Sequence, residues 1–267
     1  MGNSDPIAVF DSGLGGLTVV KALQKTLPAE AIIYFGDSAR VPYGNKSKTL
    51  IREYSREITE FLINKKAKMI VVACNTASAL ALENLTSEFE IPLLGVIGPG
   101  VEAALKATGN DRVGIIGTIA TIRSGAYEKT LKALSPELNV FSKSCPLFVP
   151  LVEEGWLNGS VPDLVAAAYL REMNAQNVDT IILGCTHYPL LKPVLQKVVN
   201  KDTFLIDSAD TTALKTAEML KKLGILNNSS KPGSFTCFVT DLPLRFKVLA
   251  RRFLGTSIDH VSTVHLT

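Results

Sequence analysis

Short runs of consecutive apolar, largely β-branched residues recur along this chain. They alternate with stretches whose apolar positions repeat every three or four residues. Residues 7–10, 31–35, 69–73 and 92–96 are such runs in the first half, and read as buried parallel strands. The second half gives strands over 113–117, 140–144, 180–184 and 203–206, of which 140–144 is the most polar. Helical spacing between them predicts helices, for example over 17–27, 51–65 and 163–175. Strand and helix in turn imply an α/β fold of mostly parallel sheets flanked by helices. Beyond about residue 208 the pattern predicts a helix (211–223), a strand (234–240), a helix (242–254) and a last strand (259–265). Residues 227–233 read as a turn-rich surface loop.

The pattern occurs twice. AKMIVVACNT (residues 67–76) and VDTIILGCTH (178–187) both carry an apolar run into a small residue, a cysteine and two polar residues; Cys74 and Cys185 stand 111 apart. Residues 7–12 match 113–118, Val41-Pro42 matches Val149-Pro150, and 91–95 matches 203–207, at offsets of 106, 108 and 112. Four matches in the same order indicate duplication. Two pseudo-symmetric domains are expected: residues 1–97 plus 208–267, and residues 98–207, with Gly98-Pro99-Gly100 as the crossing. The tail is assigned to the first domain because the second repeat is complete near Asp207. Such folds bind ligands beyond the carboxyl ends of their strands. Asp11, Ser12, Cys74, Asn75, Thr76, Thr118, Cys185, Thr186 and His187 all fall there, so the site is expected in the cleft between the domains.

Composition narrows the classes. Hydrophobic residues are 46% and charged residues 20% of 267, which supports a packed core and excludes a disordered chain. A net charge of +3 gives no reason to expect a nucleic-acid or membrane partner. The start, Met1-Gly2-Asn3-Ser4-Asp5-Pro6, has neither the basic nor the apolar part of a signal peptide. No apolar run reaches the length of a membrane span, and a cytoplasmic protein is expected. The four cysteines form no Cys-x-x-Cys pair and there are three histidines, so neither a metal site nor a disulfide framework is indicated.

Two related halves that each present a cysteine at a strand end suit a reaction needing similar groups on opposite sides of one atom. Inversion of a stereocentre bearing hydrogen is such a reaction: one group removes a proton and the other delivers one to the opposite face. An unperturbed thiol titrates near pH 8.5, so one sulfur must be held as thiolate and the other as thiol. His187 lies two residues beyond Cys185, and Asp11 ends the strand equivalent to that preceding Thr118. Most cysteines are simply small buried hydrophobes, which is the reading for Cys145 and Cys237. Taken alone, Asp11 and Ser12 read as caps for the helix near Leu17. Residues 13–18 resemble a dinucleotide loop but end in Thr18, and are read instead as room for an anionic substrate. Arg245, Lys247, Arg251 and Arg252 are spaced as the solvated face of a helix.

The segments DSGLGGLTV (11–19), YFGDSARVPYG (34–44), ACNTASA (73–79) and GCTHYPLL (184–191) carry a resemblance to the glutamate racemases of the aspartate/glutamate racemase superfamily, over essentially the whole chain. That resemblance implies roles. Cys74 would take the α-proton from D-glutamate and Cys185 from L-glutamate, assisted by Asp11 on the first side and by Glu153 and His187 on the second. Asp11, Ser12, Pro42, Tyr43, Gly44, Asn75, Thr76, Thr186 and His187 would hold substrate, with Thr118 and Thr121 in addition. It further implies no pyridoxal phosphate, flavin, nucleotide or metal, a homodimer, and supply of D-glutamate for peptidoglycan and hence cell shape. Some members have an N-terminal extension tied to activation by a cell-wall precursor; with a first strand at Ile7 that control is not expected here.

Three alternatives stay open at this stage. One is a racemase for another amino acid such as aspartate, although Cys-Thr-His-Tyr-Pro and Asp-Ser-Gly-Leu-Gly-Gly fit the glutamate branch better. Another is a thiol redox enzyme, whose cysteines need Cα atoms within about 7 Å. The third is a non-enzymatic two-lobed binding protein.

Overall fold

The computed structural model describes residues 2–266; Met1 and Thr267, the outer ends of the expected first domain, lie outside them. Among the described residues ten strands build two parallel sheets. The first contains β1 (Ile7–Asp11), β2 (Ile32–Gly36), β3 (Met69–Val72), β4 (Leu93–Gly95), β9 (Phe235–Val239) and β10 (Val261–Thr263), in the order β10-β9-β2-β1-β3-β4. The second contains β5 (Arg112–Gly117), β6 (Asn139–Ser144), β7 (Thr180–Gly184) and β8 (Phe204–Ile206), in the order β6-β5-β7-β8. The tail strands β9 and β10 therefore belong to the first sheet.

The duplication is visible in the hydrogen-bond register. Val9 lies between Tyr34 and Val71 in the first sheet, and Val71 pairs with Leu94. Ile115 lies between Ser142 and Ile182 in the second, and Ile182 pairs with Ile206. Corresponding residues stand 106, 108, 111 and 112 apart, the four offsets of the sequence repeat.

Among the described residues twelve α-helices cover the sheets. Around the first half run α1 (Leu17–Thr26), α2 (Lys48–Asn64), α3 (Asn75–Leu80), α4 (Leu82–Glu88) and α5 (Ile97–Ala107). Around the second run α6 (Ile119–Ser124), α7 (Ala126–Leu134), α8 (Phe148–Glu153), α9 (Ser160–Ala175) and α10 (Lys192–Val198), followed by α11 (Ser208–Lys222) and α12 (Pro243–Leu254). The central strands are buried on both faces. Ile7 and Val9 enter one apolar cluster with α1 and α11 residues, while Ala8 and Phe10 enter another with Ile51, Ile58 and Leu62 of α2. The first of these clusters continues into the second lobe through Ile181, Leu183 and Phe148.

Two expectations change. Gly98-Pro99-Gly100, between the last strand of the first half and the first of the second, is helical and belongs to α5; Pro99 falls in its first turn, where a missing N–H costs no helical bond. Helix α2 begins three residues before the expected 51, because Ser47 caps it by accepting a hydrogen bond from the Leu50 N–H at 3.3 Å.

Candidate active site

The chain turns sharply after each central strand, and these turns deliver the polar residues. Cys74 follows β3 by two residues and is the N-cap of α3, its sulfur accepting from the Ala77 N–H at 3.5 Å. Cys185 directly follows β7. Both open onto one cavity of about 330 Å³ between the two sheets. That is the small end of the range for small-molecule pockets. Ser12, Pro42, Tyr43, Gly44, Asn75, Thr76, Thr118, Glu153, Thr186 and His187 line it too. All four cysteines are free and buried.

Asp11 and Thr121 do not line the cavity; each stands behind residues that do. The fully buried Asp11 carboxylate accepts from the Gly13 N–H at 3.0 Å and from the Thr186 hydroxyl at 3.3 Å. It does not cap α1, whose N-cap is Gly16. Its partner in the repeat is Gly117, so only the first half carries a carboxylate there. The Thr121 hydroxyl closes a triangle with Thr76 and Thr118, with O–O distances of 2.9 to 3.1 Å. Thr76 comes from the first lobe and the other two from the second. Asn75 is held across the lobes as well: its amide oxygen accepts from the Tyr127 hydroxyl at 2.6 Å, leaving a buried Nδ2 with no protein partner. A buried donor without a partner costs free energy unless a ligand accepts from it. Tyr43 is fixed from behind by donating to Asp37 at 2.5 Å.

The two sulfurs meet different surroundings. Burial pushes the Cys74 thiol up to about 12, and the Asp11 carboxylate adds to this, against the opposing Ala77 N–H and Ser12 hydroxyl. Beside Cys185, the His187 Nδ1 lies 4.0 Å from the sulfur and Nε2 lies 3.1 Å from Glu153 Oε1. Burial disfavours a charged imidazole, but Cys185 and Glu153 outweigh it and raise His187 to about 10. Reciprocally, the hydrogen bond from His187 lowers Glu153 below the ordinary glutamate value. An imidazolium therefore stands beside Cys185, whereas a buried carboxylate stands near Cys74.

Within the glycine loop, Gly13 lines the cavity and Gly15 approaches the other lobe closely. A Cβ on Gly15 would lie 2.0 Å from Thr186 Oγ1 and 2.7 Å from His187 Nδ1. The close approach is made by the opposite lobe. Gly44 is a second such point, where a Cβ would fall 2.7 Å from the Thr118 Cβ.

Sequence reasoning missed the apolar wall formed by Val41, Ile119, Pro146, Val149 and Pro150. Part of it was within reach, since Val41-Pro42 and Val149-Pro150 are repeat partners and both pairs face the cavity. Arg252 is also more than part of a solvated face: its guanidinium donates to the Glu153 backbone oxygen at 2.6 Å. Among the described residues no cluster of three or more His, Cys, Asp or Glu could hold a metal ion, and no helix is long and apolar enough to cross a membrane.

Paired parallel sheets whose equivalent strand ends each offer a cysteine to one small cavity suit an enzyme of the amino-acid racemase class. The sequence model of the Asp/Glu/Hydantoin racemase family matches residues 12–216, and the chain belongs to that family. The glutamate racemase of Syntrophus aciditrophicus is 49% identical over 98% of this chain and 97% of its own. The crystal structure of glutamate racemase from Francisella tularensis in complex with D-glutamate superposes with a TM-score of 0.93 at 40% identity, covering 99% of this chain and 98% of that one. The glutamate racemase from Thermus thermophilus in complex with β-chloro-D-alanine gives 0.90 at 45% identity, covering 100% and 99%.

Proposed function

We propose that the chain interconverts L- and D-glutamate without a cofactor, using Cys74 and Cys185 as paired acid and base. One observation carries this reading: cysteines at equivalent strand ends of two register-matched sheets face the same cavity of about 330 Å³. The names of the relatives favour glutamate over aspartate. The Asn75 amide, the Thr76, Thr118 and Thr186 hydroxyls and the Ser12 and Tyr43–Gly44 turns offer donors for an amino-acid carboxylate. Thr121 supports that set from behind.

The resting charges suggest a direction for the first step. Cys74, at about 12, rests as a thiol and is ready to donate. Positive charge on His187 suits a thiolate at Cys185. With L-glutamate bound, the Cys185 sulfur takes the α-proton; the electron pair stays on the α-carbon as a carbanion. Cys74 then gives its proton to the opposite face. Cys185 is left as thiol and Cys74 as thiolate, the state that D-glutamate needs for the reverse reaction. Asp11 serves the Cys74 side; His187 and Glu153 serve the Cys185 side.

The test uses purified protein with L-glutamate in heavy water, followed by circular dichroism and mass spectrometry. The dichroism should decay to zero, with deuterium entering D-glutamate early and recovered L-glutamate late. Cys74→Ser and Cys185→Ser should each nearly abolish racemisation, because a serine hydroxyl is a far weaker acid than a thiol. Substantial racemisation by either variant, or equal early label in both enantiomers, rejects the two-cysteine scheme. The same reading makes the protein a cytoplasmic source of D-glutamate for peptidoglycan, acting as a homodimer. It divides the chain into 1–97 plus 208–267 and 98–207.

A further inference from the structure

The residues facing the cavity do not explain how Glu153 is held. It is the last residue of the short helix α8, a third of its side chain is exposed, and it must keep its carboxylate on His187. The last carbonyls of a helix have no partner within the helix. Here those of Pro150, Leu151 and Val152 accept from the following N–H groups of Glu154, Trp156 and Gly155, and that of Glu153 is met from the other lobe. Arg252, in the last turn of α12, donates through Nη1 to the Glu153 oxygen at 2.6 Å and to the Val152 oxygen at 3.4 Å. The chain makes room for it at Gly155. A Cβ there would lie 2.8 to 3.0 Å from the guanidinium, and the backbone has φ +81°, a conformation that favours glycine. The residue next to Arg252 closes the other side: the Phe253 ring meets the His187 ring edge-on, with centroids 5.2 Å apart. Helix α12 itself packs on α1 of the first lobe.

We infer that Arg252 is a positioning residue for the Cys185 half of the reaction. By fastening the end of α8 to α12 it fixes Glu153, which orients His187 beside Cys185. Phe253 limits the tilt of the same imidazole. The first lobe, which supplies Cys74, thereby also sets the geometry of the acid–base pair serving Cys185. Arg252 touches neither sulfur and is not among the residues lining the cavity. The inference rests on the two-cysteine reading proposed above.

The variants are Arg252→Met, which keeps the stem and loses the donors, and Arg252→Lys, which keeps one charged donor group. Gly155→Ala displaces the guanidinium while leaving its charge in place. Arg252→Met should lower kcat/KM by about tenfold, the scale of one charge-assisted hydrogen bond, and Arg252→Lys should recover part of the loss. The decisive readout is the primary isotope effect. L-glutamate deuterated at the α-carbon gives its deuteron to Cys185, and the D-enantiomer gives its deuteron to Cys74. Slowing the Cys185 step alone should enlarge the effect for the L-enantiomer and shrink it for the D-enantiomer. The His187 imidazole, followed by NMR, should titrate lower than in the wild type. The charged groups facing it are Cys185, Glu153 and Asp11, with Arg245 acting on Glu153, and all are retained in these variants. If Arg252→Met does not fold, Gly155→Ala and Arg252→Lys give the same readouts.

Unchanged isotope effects, or a loss of rate that leaves their ratio at the wild-type value, would overturn the inference and reduce Arg252 to general support. Failure of the underlying reading shows separately, as racemisation by Cys185→Ser, whatever the Arg252 variants do.

Discussion

Replacing Glu153 with glutamine removes a charge and leaves the shape. In the wild type, Glu153 Oε1 sits 3.1 Å from His187 Nε2 and helps hold the imidazole in its charged form up to about pH 10. A hydrogen bond between charged partners contributes about 1.5–3 kcal/mol, and one pKa unit corresponds to about 1.4 kcal/mol. Glu153 is 33% exposed, which favours the lower part of that range. His187 should therefore fall by about one to two units, to roughly 8–9. With a value near 8.5, its protonated fraction at pH 9 drops from about 0.9 to about 0.2. If the imidazolium beside Cys185 is the working form, kcat/KM holds below pH 7. It then declines through pH 8–9 in the variant, one to two units earlier than in the wild type. Because enantiomers have equal free energy, kcat/KM must be the same from L- and from D-glutamate at every pH, an internal control on the dichroism assay. The sign carries over to stability. A histidine raised from 6.5 to about 10 stabilises the fold fully below pH 6.5 and loses that contribution as the pH rises through 10. An alkaline limb that stays where the wild type has it, or moves upward, would refute the reasoning.

Two further substitutions probe the frame. Gly15→Ala places a methyl 2.0 Å from the Thr186 hydroxyl, so the lobes must shift apart. We expect a stability loss of about 1–3 kcal/mol, a melting point lower by about 2–10 °C, and a fall in kcat/KM of at least tenfold. Wild-type turnover and melting would show that the pinch is soft. Glu30→Gln strands the fully buried Lys68 ammonium, which otherwise pairs with Glu30 at 2.5 Å and donates to the Asn3 and Ile225 carbonyls. Breaking a buried pair costs about 3–5 kcal/mol, read as a lower urea midpoint. Turnover of the folded variant should stay normal, because this pair lies at the amino ends of the strands, away from the cavity. An unmoved midpoint would contradict the assignment.

The strands were legible because burial on both faces leaves an unbroken apolar run, as in Met69–Val72 and Thr180–Gly184. The repeat offsets went further and carried the register of both sheets. Turn residues after those strands, from Ser12 to His187, were legible because in a parallel sheet the strand end is itself the binding edge. What escaped were relations that exist only in three dimensions. Asp11 and Thr121 read as direct contacts, yet they stand one residue behind the surface, a depth that sequence does not encode. Arg252 has the spacing of a solvated arginine, and its partner carbonyls lie about a hundred positions away. Gly15 reads as a turn glycine, while its missing side chain is required by Thr186 of the other lobe.

That last feature bears on how tightly the lobes meet. At Gly15 and at Gly44 the lobes touch with no side chain of the first lobe interposed. Both contacts set first-lobe backbone directly against a second-lobe threonine, with the His187 ring beside Thr186 at Gly15. A single added carbon at either glycine therefore reports on the spacing of the lobes themselves, with no side-chain slack to absorb it.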